Sequence, residues 1–269
     1  MNQINQNKFS LSIGGIGAFV ECEHKDLCTR IKKHYQDFLV VDPAQFNLAI
    51  EVEGEMEEVV EDVAVQFDQD HTFLSSPGYQ GEINLINKSG RLTLNRRHLL
   101  EGVDYFIRVV FSLLTFDQGG LMIHAAGIAR HGRAYLFLGH SGSGKTTVSR
   151  LSKDCQILND DLVILTPIET GWRVYGTPFS NPTQVKPSPH NAPLEGLYFL
   201  VKDKKVFLEP ARGGIALAEL ISNIPVLPAN PYLNLLLIER CTQILTDVEA
   251  FKLHFLKDES FWNVVEKKL

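Results

Sequence analysis

Tyr135-Leu136-Phe137-Leu138-Gly139-His140-Ser141-Gly142-Ser143-Gly144-Lys145-Thr146 is the stretch on which the fold turns. The apolar start reads as a buried strand, and Gly139 to Thr146 satisfies GxxxxGK[ST], a pattern that carries meaning only between a strand and a helix. Both flanks comply, because Lys145 to Leu151 opens a helix. Glycines let backbone N–H groups converge on a β-phosphate, and the helix start adds a favourable dipole. Lys145 reaches the β- and γ-phosphates, and the Thr146 hydroxyl ligates magnesium. Gly139, His140, Ser141, Gly142, Ser143, Gly144, Lys145, Thr146 and Thr147 are therefore the expected nucleotide contacts. The competing reading, an ordinary glycine-rich turn, is weakened by the strand-loop-helix setting.

Just downstream, Asn159-Asp160-Asp161 follows the short apolar run Ile157-Leu158. Two adjacent carboxylates at a strand end, so soon after the loop, can meet the phosphate site from the next strand. One would hold Mg²⁺, directly or through water, and the other would accept the proton of an attacking hydroxyl. An isolated Asp-Asp is more often a turn or capping pair; the spacing to the loop favours the site. Upstream, His124 sits in Met122-Ile123-His124-Ala125-Ala126. A lone histidine among apolar neighbours is usually a hydrogen-bonded core residue.

Around this centre the pattern is of apolar strands separated by short turns. Leu121 to Ala129 pairs with Arg133 to Leu138, and Gln156 to Leu158 continues into Leu162 to Leu165. Further strands are expected at Trp172 to Tyr175, Leu197 to Val201, Lys205 to Leu208 and Phe251 to Phe255, with a helix around Tyr232 to Ile244 and a last short helix. The fold class is α/β, a mixed sheet flanked by helices.

Before it, residues 1–118 read as a smaller α+β region with no catalytic pattern, and residues 119–269 as the nucleotide domain. Phe9 to Ile13 and Ala18 to Cys22 form strands around Gly14-Gly15, Leu27 to Phe38 a helix, and Asn47 to Val52 a strand. Ile83 to Ile86 and Leu92 to Leu94 flank a turn at Ser89-Gly90. His98 to Phe116 is a long amphipathic helix that ends at Gly119-Gly120. The acidic run from Glu51 to Asp62 reads as a solvated edge, or else as a docking surface for a basic partner.

Composition argues against several classes. The 269 residues carry a formal net charge of −6, with Lys and Arg dispersed, which gives no footprint for nucleic acid. No apolar run is long enough for a membrane span, and the N-terminus lacks signal-peptide character, so a cytoplasmic location is expected. Cys22, Cys28, Cys155 and Cys241 have no paired spacing and read as reduced and structural.

The order His124-Ala125-Ala126, apolar hairpin, loop ending Gly144-Lys145-Thr146, then Asp160-Asp161 resembles the HPr kinase/phosphorylase superfamily, over Leu121 to about Leu165. The resemblance implies an ATP- and Mg²⁺-dependent serine kinase. In it Asp161 is the catalytic base, Asp160 supports the metal with Thr146, Lys145 neutralises the phosphates and His124 joins the active site. The family's Glu-x-Arg-Gly-Leu-Gly run is not present; the nearest string is Leu194-Glu195-Gly196-Leu197-Tyr198, which makes Glu195 a candidate second metal carboxylate. Pro210-Ala211-Arg212-Gly213-Gly214 is similar to a later basic segment and makes Arg212 a candidate phosphate or substrate contact. Gly176-Thr177-Pro178-Phe179 looks closer to the divergent kinases that accompany peptide natural-product clusters. The implied partner is then a peptide or small protein, HPr-like or a precursor peptide. Two other functions stay open: a small-molecule kinase on the same core, and a nucleotide-binding regulator with little transferase activity. Oligomeric state, a homo-oligomer included, is also open.

Overall fold

The computed structural model describes residues 7–41, 44–53, 64–68, 71–76, 78–95, 99–179, 185–226 and 231–267. Most of the acidic run lies outside the described residues, as does the start of the expected long helix at His98. The chain divides into two compact units, one ending at Leu114 and the other starting at Thr115.

In the first unit the strands are β1 (Lys8–Ile13), β2 (Ile16–Cys22), β3 (Leu39–Val40), β4 (Phe46–Val52), β5 (Ala64–Asp68), β6 (His71–Ser76), β7 (Tyr79–Asn84) and β8 (Ser89–Leu94); the helices are α1 (Lys25–His34) and all but the last turn of α2 (Leu99–Asp117). One mixed sheet has the order β3-β1-β2-β4-β8-β7-β6-β5, with β2, β4 and β8 mutually parallel. Gly14 and Gly15 make the β1–β2 turn with φ of 64° and 81°, a region that costs other residues. α1 buries Leu27, Cys28 and Ile31. The helix expected over Leu27 to Phe38 breaks at His34 and resumes as a short 3-10 turn, Gln36–Phe38.

The turn expected at Ser89-Gly90 lies earlier, at residues 85–88, where Lys88 takes φ of 50°. Gly90 belongs to β8 instead: a Cβ there would stand 2.9 Å from Leu48 and 3.3 Å from Phe106. Its glycine serves close packing, a signal indistinguishable from a turn in sequence.

The second unit holds β9 (Leu121–Arg130), β10 (Arg133–Leu138), α3 (Lys145–Leu151), β11 (Gln156–Asn159), β12 (Leu162–Ile168), β13 (Gly171–Gly176), β14 (Asn191–Lys202), β15 (Phe207–Pro210), α4 (Gly213–Ile221), α5 (Pro231–Asp247), β16 (Ala250–Phe255) and α6 (Phe261–Glu266). These confirm α/β architecture with a second mixed sheet. Alternation along β10 sends Leu136 and Leu138 into one core with Leu220 of α4 and Leu237, Cys241 and Ile244 of α5. Tyr135 and Phe137 enter the other, with Val148 of α3 and Phe261 and Trp262 of α6. The sheet is therefore covered by helices on both faces.

Strand pairing runs β10-β9-β12-β13-β14, and β14 returns to pair with β10 in parallel, which closes a circuit. Two long strands make this possible by changing partners along their length. β9 pairs with β12 over Leu121 to His124 and with β10 over Ala125 to Arg130. β14 pairs with β13, then β10, then β16.

Thr115 and Phe116 belong to the second unit, four residues before the boundary expected from sequence. Gly119, with φ of 85°, ends α2, and the Gly120 N–H reaches back to Thr115 O at 2.8 Å. Arg240 donates to Phe116 O at 2.6 Å and Gly120 O at 3.1 Å, which ties α5 to the end of α2. None of the four cysteines forms a disulfide, and Cys22, Cys28 and Cys241 are buried. Among the described residues, no helix is long and apolar enough to cross a membrane.

Candidate functional site

The partner change in β9 builds the site. Leu138, the last residue of β10, pairs with Ala125, so Gly139 leaves the sheet beside His124. On the other side, Asn159 pairs with Gly127 and Leu162 with His124. Asp160 and Asp161 are thus a two-residue break in one line of strand, opposite Ala126 and Ala125. Three adjacent strands bring the loop, the histidine and the carboxylates to one level.

Asn159 holds that break. It is fully buried, and its Oδ1 accepts from the N–H groups of Asp161 at 2.6 Å and Leu162 at 3.1 Å. Its Nδ2 donates to the carbonyls of Thr177 at 2.8 Å and Phe179 at 3.0 Å. Thr177 Oγ1 in turn donates to Leu162 O at 2.6 Å. One amide therefore ties the Asp pair to the Gly176-Thr177-Pro178-Phe179 segment. This function was missed from sequence, although an asparagine two residues before a chain reversal is a recognisable Asx-turn signal.

The loop is equally constrained. Gly139 has φ of 147°, and a Cβ there would meet Ser143 Oγ at 2.7 Å. Gly144 has φ of 119°, and a Cβ would meet the Phe255 ring at 2.6 Å. Lys145 is 8% exposed, and its Nζ donates to Gly139 O at 2.5 Å and His140 O at 3.4 Å. Asn223 braces the loop's root: its Oδ1 accepts from Gly139 N at 3.4 Å, while its carbonyl accepts from His124 N at 2.7 Å.

A cleft of ≈ 410 Å³ opens over these residues. Ser141, Gly142, Gly144, Lys145, Thr146 and Thr147 form one side, and His124, Asp160 and Asp161 another. Lys202 and Lys257 also line it. Gly139, His140 and Ser143 are not on its wall; they shape the loop from behind. A hollow of ≈ 450 Å³ on the first unit's sheet, bordered by Phe19, Asn47, His71 and Arg91, has neither glycine loop nor paired carboxylates.

Within the cleft, Asp160 is the anomaly. It is 1% exposed, and neither carboxylate oxygen has a partner of hydrogen-bond geometry, although the Thr146 hydroxyl and the Val185 N–H lie close enough to favour its charge. Burial, with Asp161 alongside, holds its pKa above the ordinary carboxylate range. Lys145 is pushed down by its own burial, against the pull of Asp161 and Asp160. A buried carboxylate with neither oxygen in a well-formed hydrogen bond, beside a threonine hydroxyl, suits a hard cation. Among the described residues no group of three or more His, Cys, Asp or Glu gathers for a metal, so Mg²⁺ here would take further ligands from phosphate and water. Asp161, by contrast, meets His124: Nε2 and Oδ1 stand 3.1 Å apart.

No family model matches the chain, and neither does any curated protein.

Two sequence candidates fall away from it. Glu195 lies near the start of β14 beside Arg133, 3.6 Å from its guanidinium. Phe199, not Glu195, is the residue level with Leu138, so Glu195 sits ~13 Å down the strand from the loop. Arg212 is the exposed N-cap of α4, and Ala211 N binds Ala250 O at the start of β16, again the far end of the sheet. The glycines after Arg212 open α4.

Proposed function

We propose that this chain binds MgATP in the cleft and transfers the γ-phosphoryl group to a serine hydroxyl of a peptide or small protein, as an HPr kinase-like enzyme. The observation that carries the reading is Asp160, a buried carboxylate with neither oxygen in a well-formed hydrogen bond, beside Thr146 and Lys145 of the glycine loop. A chain keeps such a group only where something offsets its desolvation.

In this reading Thr146 and Asp160 would hold Mg²⁺, which would supply charge neutralisation for the triphosphate. Lys145 leaves the Gly139 and His140 carbonyls and turns to the phosphates, exchanging two neutral acceptors for anionic ones. Asp161 accepts the proton of the attacking hydroxyl. His124 orients Asp161 by occupying Oδ1. Loose phosphoryl-transfer transition states need positioning and charge stabilisation more than covalent help, and these side chains supply both. The serine-bearing acceptor is carried by the resemblance in sequence, and the use of ATP agrees with the cytoplasmic location expected there.

The test is incubation with γ-labelled ATP, Mg²⁺ and serine-bearing candidate acceptors, with mass mapping of the labelled residue. Label on a serine that is lost in Asp161→Asn supports the reading. MgATP binding with label on no acceptor would replace it with a nucleotide-binding regulator, and label on a small molecule with a small-molecule kinase.

A further inference from the structure

Lys202 and Lys257 remain unexplained by the chemistry above. Neither matches a loop or carboxylate motif, yet both line the cleft. Lys202 is the last residue of β14, and Lys257 follows β16 by two residues. Both are exposed, and neither ammonium makes an ion pair among the described residues.

Their position follows from strand order. Across the sheet the sequence is β11, β9, β10, β14, β16. The loop springs from β10, in the middle. The Asp pair leaves β11, two strands to one side; Lys202 stands one strand, and Lys257 two strands, to the other. At ~4.8 Å per strand, the row of strand ends spans ~19 Å. Lys202 is level with Phe255, the residue whose ring a Cβ on Gly144 would strike at 2.6 Å, so this row comes up against the loop itself.

We infer that Lys202 and Lys257 hold the α-phosphate of the bound nucleotide, so that the triphosphate lies across the strand ends with its γ-phosphate toward Asp161 and its nucleoside toward β14 and β16. This rests on the MgATP reading and deepens it. Transfer requires the γ-phosphate at Asp161, where the acceptor hydroxyl must also arrive. With the β-phosphate over the loop of β10, the α-phosphate then points to the opposite flank. Lys202 and Lys257 are the charged lining residues on that flank. An anionic group on the acceptor would need cations beside Asp161, and the lysines stand on the other side.

The experiment is calorimetric titration of MgATP and MgADP into three proteins: the parent, Lys202→Gln with Lys257→Gln, and Lys202→Arg with Lys257→Arg. Both lysines are exposed, so their combined loss is expected to weaken binding about tenfold at low salt and less at high salt. ATP and ADP should lose affinity by the same factor, since both carry the α-phosphate, and the Arg variant should stay within a few-fold of the parent. Unchanged affinity in the Gln variant, with the parent binding normally, overturns the lysine assignment alone. Loss confined to ATP overturns it too, by placing the lysines at the γ-phosphate. A parent that binds neither nucleotide brings down the MgATP reading and this inference together.

Discussion

His124 Nε2 stands 3.1 Å from Asp161 Oδ1 because His124 is paired in register with Leu162, the residue after Asp161. The contact engages one carboxylate oxygen and leaves the other for an acceptor. Asp161→Asn keeps the shape but cannot take a proton. It should leave MgATP affinity within a few-fold and cost ~10²-fold or more in single-turnover transfer, the usual scale for general-base loss. His124→Ala should cost less, ~10-fold, since it removes only the orientation of the base. Parental transfer in Asp161→Asn would remove Asp161 from the mechanism.

Asp160 predicts a stability change of opposite sign to most buried-site substitutions. A carboxyl with a raised folded pKa binds its proton more tightly in the fold than in the unfolded chain. It therefore subtracts stability as pH rises through that raised value, and the cost is full above it. Asp160→Asn removes the charge, so the ligand-free protein should melt a few degrees higher at neutral pH, given ~1–3 kcal/mol for an unsatisfied buried group. That gain should vanish below the ordinary carboxylate range, where both forms are neutral. The magnesium requirement for nucleotide binding should rise in the same variant. Differential scanning calorimetry at neutral and acidic pH checks the first effect; a lower melting point at neutral pH would mean Asp160 has partners that stabilise it.

Asn159 predicts joint failure of fold and site. Asn159→Ala strips the acceptor from two backbone N–H groups and the donor from two carbonyls in a fully buried place. A loss of ~2–4 kcal/mol is expected, together with weaker Mg²⁺-dependent nucleotide binding as the Asp160-Asp161 break loses its shape. Chemical denaturation measures the first and calorimetry the second. A stable variant with intact nucleotide binding would show that the strand pairing alone positions the carboxylates.

These residues also show what could be read in advance. The loop, β10 and α3 were legible because one local pattern fixes strand, turn and helix together. The Asp pair was legible by spacing from it. Asn159 was visible as a neighbour but not as the clamp, because its partners Thr177 and Phe179 lie far along the chain. Lys202 and Lys257 carry no motif; only the order of strands, a non-local property, puts them beside the loop. Glu195 and Arg212 failed for the same reason, each lying at the end of its strand or helix that faces away. Gly90 misled locally, since a glycine that admits Phe106 and one that makes a turn look alike. α4 was not expected from the sequence, and Gly213-Gly214 opens it.

Gly144 separates strain from clash. Its φ of 119° disfavours any side chain, and a Cβ would also meet Phe255. Gly144→Ala should abolish measurable nucleotide binding. Adding Phe255→Ala relieves the contact but not the backbone cost of ~1–3 kcal/mol, so binding should return only in part. Full recovery in the double variant, measured by calorimetry, would show that the backbone tolerates a side chain there.

Lys145 gives the sharpest distinction between a structural brace and a phosphate ligand, because the structure shows it in the first part. Its Nζ bonds the Gly139 and His140 carbonyls, so a fall in stability on its removal would be the natural expectation of a brace. Its depressed pKa points the other way. A lysine whose folded pKa is lowered costs stability at every pH below that lowered value, and the cost fades only as pH rises toward the ordinary lysine range. Lys145→Met keeps the length of the side chain and removes the buried charge. At neutral pH its melting temperature should therefore equal or exceed the parent's, with the difference shrinking at alkaline pH. MgATP affinity should fall ~10²-fold or more, since no other residue of the loop carries a positive charge to the β- and γ-phosphates. Thermal melts with and without MgADP read both quantities in one experiment: a ligand-induced shift in the parent, absent in Lys145→Met, is the expected result. A variant that melts lower yet keeps its nucleotide shift would make Lys145 a brace and would remove the phosphate loop as the site of binding.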